Sequence, residues 1–404
     1  MIAVPMRAQD RRLLGAAASS IWLSLAALYL WCPVHRFPPA RPFEGSRWYN
    51  PYGSVTPATP WQKVNLHAHA RAWSGLTNGR GSADDVLRSY RAMGYGAAPV
   101  SNYQAITRTT ASDSNVLTVY EQGYNLRKVH FLAVGPRRVD WLDYPLLQGR
   151  DEEQHRIDRL RASAALVIIA HPRLRNALPD ADLRALTGYT AIEIGSYASR
   201  DEEAWNVALD AGRPVWAVAN DDTHSADAPN EAGEYWSMIA APNVDAKSLK
   251  GALSAGRAYA VFGFGGEADI ALRSLSIAGD TLSVVFDGAP ADLRLVGTKG
   301  RVLGEETGRR EARWVLPCDA PWVRVVARTT TTQLFLQPVL RSEDGALPRR
   351  IEARVAIVPT VVRRVTALVL LFIAVVAWVS HGAADLTRTE AGRRRPRVTL
   401  QDAA

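Results

Sequence analysis

Two long runs without a charge constrain this chain before any other feature. Residues 13–34 read LLGAAASSIWLSLAALYLWCPV, and residues 365–384 read VTALVLLFIAVVAWVSHGAA. Either run is long enough to cross a hydrocarbon core of roughly 30 Å. Arg11 and Arg12 abut the first, and Arg393, Arg394 and Arg395 follow the second. Length, terminal position and basic flanks predict two membrane-spanning helices. No A-x-A site closely follows the first run, so it reads as an uncleaved anchor. The basic ends predict that residues 1–12 and 385–404 are cytoplasmic and the middle extracytoplasmic, periplasmic for a bacterial inner membrane.

The net charge of +8 belongs to the flanks. Residues 349–364 hold five arginines against Glu352, and residues 385–404 hold five against three acidic residues. The middle is close to neutral and shows no basic stripe with interleaved aromatics, so no nucleic-acid-binding surface is expected. Two cysteines exclude a disulfide framework and a cysteine-based zinc cluster.

Residues 35–60 hold six prolines and read as a linker. From 61 to 265, short apolar runs alternate with helical segments. The strand-like runs are 64–69, 96–101, 129–134, 165–171, 191–196 and 214–220. Ser82 with Asp85 opens a capped helix that stops at Gly94. Further helices are predicted over 151–164 and 201–211. Such alternation predicts parallel strands with crossover helices, hence an α/β barrel or open sheet. Over 266–345 the segments are short, alternating and turn-punctuated, which predicts an antiparallel β-sandwich. A basic juxtamembrane segment, 346–364, leads to the second span.

The eight histidines are not scattered. His67 and His69 stand two apart, so on a strand they share a face. His171 ends an apolar run. Asp222 and His224, in NDDTH, follow another. His130 leads its strand instead of ending it. Metal-capable residues thus recur at the mouths of apolar strands, where the loops of an α/β barrel converge.

At this point the chain resembles a family. NLHAH, E-x-G-x-N ahead of HFLAVG, AHP, and D-x-H after an apolar strand resemble the polymerase and histidinol phosphatase (PHP) superfamily, in its stand-alone form, over residues 61–265. The resemblance implies a distorted (β/α)7 barrel holding divalent metals and hydrolysing phosphoesters. It implies one metal held by His67, His69, Glu121 and Asp222. A second would share Glu121 and add His130 and His171. At the third site the chain reads Ser101, Asn102 and Tyr103, and the loop after H-x-H reads RAWSGLTNG without a histidine. His224 alone would remain, so that site is expected to be weak or empty.

Two metals would activate a water and clamp phosphoryl oxygens during in-line attack. Imidazole and carboxylate donors suit Mn, Fe or Zn. Asp222 is a candidate catalytic ligand and His224 a candidate general acid. Arg173 is a candidate phosphate contact beside its plainer reading as a surface arginine. Asp221 reads as a turn or supporting residue, and Glu193 as a structural or supporting one. The expectation is therefore a membrane-tethered metal-dependent phosphoesterase with an accessory sandwich. Two alternatives stand beside it. A metal-dependent amidohydrolase would add a lysine, for which Lys128 is the nearest candidate. A non-catalytic envelope-binding module would keep a degenerate site. The tryptophans read as core packing unless a surface cluster groups them.

Overall fold

The computed structural model describes residues 8–76, 79–109, 117–228 and 231–393. In chain order the elements are α1 (Ala8–Trp31), β1 (His35–Arg36), β2 (Arg47–Tyr49), β3 (Trp61–Val64), α2 (Ala83–Ala92), β4 (Val119–Gln122) and β5 (His130–Val134). Then come α3 (Arg150–Ser163), β6 (Leu166–Ala170), α4 (Asp180–Ala185), β7 (Ala191–Gly195), α5 (Glu203–Asp210) and β8 (Trp216–Ala219). They are followed by β9 (Tyr235–Ala240), α6 (Ala246–Ser254), β10 (Ala258–Gly263), β11 (Ile270–Ala278), β12 (Thr281–Gly288), β13 (Ala291–Val296) and β14 (Val302–Arg309). The last are β15 (Glu311–Val315), β16 (Trp322–Arg328), β17 (Thr332–Leu336), β18 (Val339–Ser342), β19 (Arg354–Val355) and α7 (Ile357–Arg393). The chain divides into two compact units, residues 35–354 and the two flanks, 1–34 with 355–404.

In the larger unit, β4 to β8 form a five-stranded sheet in chain order. Its residues are buried on both faces, as near-continuous apolar runs such as LVIIA and WAVA require. The expectation of parallel pairing holds for β6, β7 and β8. It fails for β4 with β5 and β5 with β6, which run antiparallel. The short connection between β4 and β5 leaves no room for a crossover helix, so the chain returns directly there, whereas β5 and β6 are antiparallel although α3 lies between them.

The run 64–69 is not a continuous strand. β3 ends at Val64, and isolated bridges then tie Val64 to Ala97, Ala68 to Thr223 and Tyr103 to Glu121. Residues 96–101 likewise form no strand. The stretch between β8 and β4 is thus bridged point by point, not laddered into a regular closed barrel. The capped helix is present as read: Asp85 N–H donates to Ser82 Oγ at 3.2 Å, and Ser82 N–H to Asp85 Oδ2 at 2.7 Å.

The second half contributes a three-stranded sheet, β11–β12–β15, and most of a nine-stranded one. Buried residues of both, including Leu282, Val284, Leu293, Val325 and Leu334, share one apolar cluster. The alternating burial of β12 is the signature of a sheet with one face covered. The larger sheet runs through position 265, because β17 pairs with β10, which pairs with β9 and through it β3.

In the flanking unit, among the described residues, one helix segment is long and apolar enough to cross a membrane, Ile357–Val376. This apolar helical segment starts earlier than the expected span at 365–384 and includes Arg363 and Arg364. Arg363 Nη2 donates to the Tyr29 carbonyl at 2.8 Å and Arg364 Nε to the Trp31 carbonyl at 3.2 Å. These are last-turn carbonyls of α1, at the negative end of its dipole; the Tyr29 carbonyl also accepts from Cys32 N–H at 3.2 Å. In the first run, α1 extends over Ala8–Trp31, and among the described residues its apolar part is Ala18–Trp31, which does not by itself establish the expected first span. Residues 1–7 and 394–404 of the expected cytoplasmic ends lie outside the described residues.

Candidate metal centre

The backbone that carries His67 and His69 is sewn to its neighbours by side chains as well as by main chain. Asn220 Oδ1 accepts from Leu66 N–H at 2.7 Å, and Asn65 Oδ1 accepts from Asp221 N–H at 2.9 Å. Asp222 N–H reaches the His67 carbonyl at 2.9 Å, and His69 N–H the Thr223 carbonyl at 2.8 Å. On the other side, Ser101 Oγ accepts from Ala68 N–H at 3.1 Å, and Asn102 Oδ1 from Ala70 N–H at 2.9 Å. Ser101 and Asn102 therefore brace the histidine segment. That use accounts for short hydrogen-bonding residues standing there instead of metal ligands.

Glu121, at the third position of β4, lies between two groups of imidazoles. Its Oε2 is 3.3 Å from His67 Nε2 and 3.1 Å from His69 Nε2. Its Oε1 is 2.5 Å from His130 Nδ1 and 3.2 Å from His171 Nε2. Asp222 Oδ1 closes the first group, 3.1 Å from His67 Nε2 and 3.2 Å from His69 Nε2. Two sets of donors each lie close enough to share an ion: His67, His69 and Asp222, and His67, Glu121 and His171. His130 joins them because β5 is antiparallel to β6. Its pairing with Ala170 sets the start of β5 beside His171.

These donors are buried yet poorly hydrogen-bonded. His67 Nε2, both nitrogens of His69 and of His130, His171 Nδ1, Glu121 Oε2 and Asp222 Oδ1 have no hydrogen-bond partner. They approach one another at hydrogen-bond distances without hydrogen-bond directions. Buried polar atoms are rarely left so, since each orphan costs about 1–3 kcal/mol. Lone pairs that converge in this way suit a cation. Backbone strain points the same way: His171 has φ +24° and Asp222 φ +53°, in the region that side-chain-bearing residues avoid.

Glu193, buried at the centre of β7, supports the donors from behind. Its Oε1 lies 3.1 Å from His67 Nδ1 and accepts from Asn220 Nδ2 at 2.8 Å; its Oε2 accepts from His171 N–H at 3.0 Å. Holding the proton on His67 Nδ1 leaves the Nε2 lone pair turned to Glu121 and Asp222. Asp221 faces away from the donors and accepts from the amides of Gly233, Glu234 and Tyr235 and from Tyr90 Oη.

The electrostatics express an excess of negative charge. Burial opposes protonation of His67, but Asp222, Glu193 and Glu121 outweigh it and push its pKa well up. His69 and His171 are raised against burial by Asp222 and Glu121. His130 is lowered, chiefly by burial. A bound divalent cation would replace the protons these imidazoles otherwise attract.

His69 is sandwiched between Tyr103 and His224, with ring centroids 4.7 and 4.5 Å away. Both flanking rings are partly exposed and form the solvent side of the cluster. His224 Nδ1 lies 3.1 Å from the Asp222 carbonyl, and burial lowers its pKa. Arg173 is placed otherwise: its Nε donates to Asp201 at 2.8 Å, Nη1 to the Leu178 carbonyl at 2.9 Å, and Nη2 pairs with Asp180. Lys128 stands with its Nζ 5.9 Å from the Tyr103 ring centroid, outside the donor groups. The stacking role of Tyr103 and the bracing by Asn65 and Asn220 are not visible in the spacing of the sequence. Asn65 and Asn220, flanking the H-x-H and D-x-H motifs, were the available signal.

No family model matches the chain, and no curated protein matches it. A solved structure from Bacteroides vulgatus, a two-domain protein containing a predicted PHP-like metal-dependent phosphoesterase, is similar to it. It is 15% identical, the match covers 76% of this chain and 92% of that one, and the TM-score is 0.38.

Proposed function

We propose that this chain is a membrane-tethered, metal-dependent hydrolase that cleaves a phosphate mono- or diester. The observation that carries the reading is the convergence of buried, unpartnered imidazole and carboxylate atoms on either side of Glu121. His67, His69, Glu121 and Asp222 would hold one divalent transition metal, and Glu121, His130 and His171 a second. Such ions supply Lewis acidity and a water acidic enough to ionise near neutral pH. Glu193 orients His67 and His171. His224 stands on the solvent side, placed to orient a leaving group; giving a proton to a departing alkoxide would require its imidazolium form, which burial disfavours. The apolar helix Ile357–Val376 supports the tether, and the basic residues at both ends of the chain are the argument for an extracytoplasmic larger unit. With Ser101 and Asn102 committed to bracing, a third ion would have His224 but few other ligands.

The test is metal content. Full-length protein purified in detergent and reconstituted with Mn, Fe or Zn is expected to hold about two equivalents by mass spectrometry, lost in an H67A/H69A variant. Phosphoester hydrolysis should follow the metal. A folded protein that takes up no metal would remove the hydrolase reading, and three equivalents would overturn the two-metal assignment.

A further inference from the structure

Four of the tryptophans, Trp205, Trp216, Trp236 and Trp322, are fully buried and pack as core. Trp73 and Trp141 are different. They are 45% and 57% exposed, and they meet each other edge to face with centroids 5.7 Å apart. Large aromatic surface left in water is costly, about 25 cal/mol per Å², unless something covers it in function. Trp73 sits at φ +52°, followed by Ser74 at φ +56°, a conformation that side-chain-bearing residues rarely adopt.

The pair is joined to the donor cluster. Trp73 Nε1 donates to the Tyr103 carbonyl at 2.8 Å, and the Tyr103 ring stacks on His69. The Trp141 carbonyl accepts from Tyr124 Oη at 3.2 Å, and Tyr124 is itself half exposed. Two ring pairs, His69 with Tyr103 and Trp73 with Trp141, are thus tied together by the hydrogen bond from Trp73 to the Tyr103 backbone. Lys128 adds a cation above the Tyr103 face. A charged group at the inner end and flat rings at the outer end describe a substrate with the same two parts.

We infer that Trp73 and Trp141 form a stacking subsite for the alcohol part of the phosphoester, and that this part carries a ring with an apolar face. The reading rests on the phosphoesterase function proposed above. A sugar and a nucleobase share that face, and both stack on indoles. Stacking of one base on one aromatic side chain changes affinity by roughly 5- to 150-fold.

The test compares glucose 1-phosphate, AMP and the ringless glycerol 3-phosphate on the full-length, metal-reconstituted protein. In W141A, the kcat/KM ratio of the preferred ring-bearing ester to glycerol 3-phosphate is expected to fall about tenfold. The loss should lie in KM and be largely restored in W141F. A selective loss for glucose 1-phosphate assigns the subsite to sugars, and one for AMP assigns it to bases. A ratio unchanged for both esters would overturn the inference. Binding is read separately by quenching of indole fluorescence in the H67A/H69A protein. Quenching by a ring-bearing ester that is lost in an added W141A change supports the subsite even where no ester is hydrolysed. Absence of quenching there, with hydrolysis intact in the parent, refutes the subsite alone.

Discussion

Replacing Glu193 by Gln tests whether the donors depend on support from behind. The carboxylate takes three donors on its two oxygens: His67 Nδ1, Asn220 Nδ2 and the His171 amide. An amide offers one acceptor and one donor. Whichever way Gln turns, its NH2 faces an N–H group, so at least one charge-assisted bond is exchanged for a donor–donor contact. Hydrogen bonds to a charged group contribute about 1.5–3 kcal/mol each. Loss of a partner that orients a metal-bound histidine lowers metal affinity about 10- to 100-fold. That corresponds to about 1.4–2.8 kcal/mol. Calorimetric titration of metal-free E193Q with Mn or Zn is expected to show that loss. Urea denaturation of the metal-free proteins would show how much of the cost is structural. Metal affinity within twofold of the parent, alongside a destabilised metal-free protein, would refute the orienting role and leave Glu193 a purely structural residue.

Two further predictions concern buried titrating groups away from the centre. Burial opposes charge on His35, but Asp151 and Asp158 outweigh it and raise its pKa to about 9, from 6.5. Its contribution to stability is therefore complete below pH 6.5 and lost as pH rises through about 9. It amounts to about 1–2 kcal/mol, because solvent screens the two aspartates. The stability gap between parent and H35N, by urea denaturation, should narrow between pH 6 and pH 9.5; a constant gap would contradict this. Glu153 is buried with neither carboxyl oxygen partnered, and burial followed by Asp182 pushes its pKa up to about 8, from 4.5. Stability should fall as pH rises between those values, since the unfolded chain ionises first. E153Q should be more stable than the parent above pH 8 by about 2–4 kcal/mol and little changed near pH 4.5. Equal stability at pH 8.5 would show that Glu153 ionises freely.

The sequence by itself determined which residues could carry chemistry here. His67 and His69 two apart, His171 closing an apolar run and Asp222 following another are local patterns, and strand period and burial act locally. The Ser82–Asp85 cap and the single-faced alternation of β12 were legible for the same reason. What only the tertiary structure decided is direction and convergence. Apolar runs buried on both faces look alike whether paired parallel or antiparallel, so the reversal of β5 was hidden. That reversal is what turns His130 from an outlier at the start of its strand into a neighbour of His171. The same holds for Ser101 and Asn102, whose value lies in the amides they reach across the fold. It holds for Trp73 and Trp141, 68 positions apart in the chain and edge to face in space. Composition counts tryptophans, but only the folded chain separates those that fill a core from those left facing water.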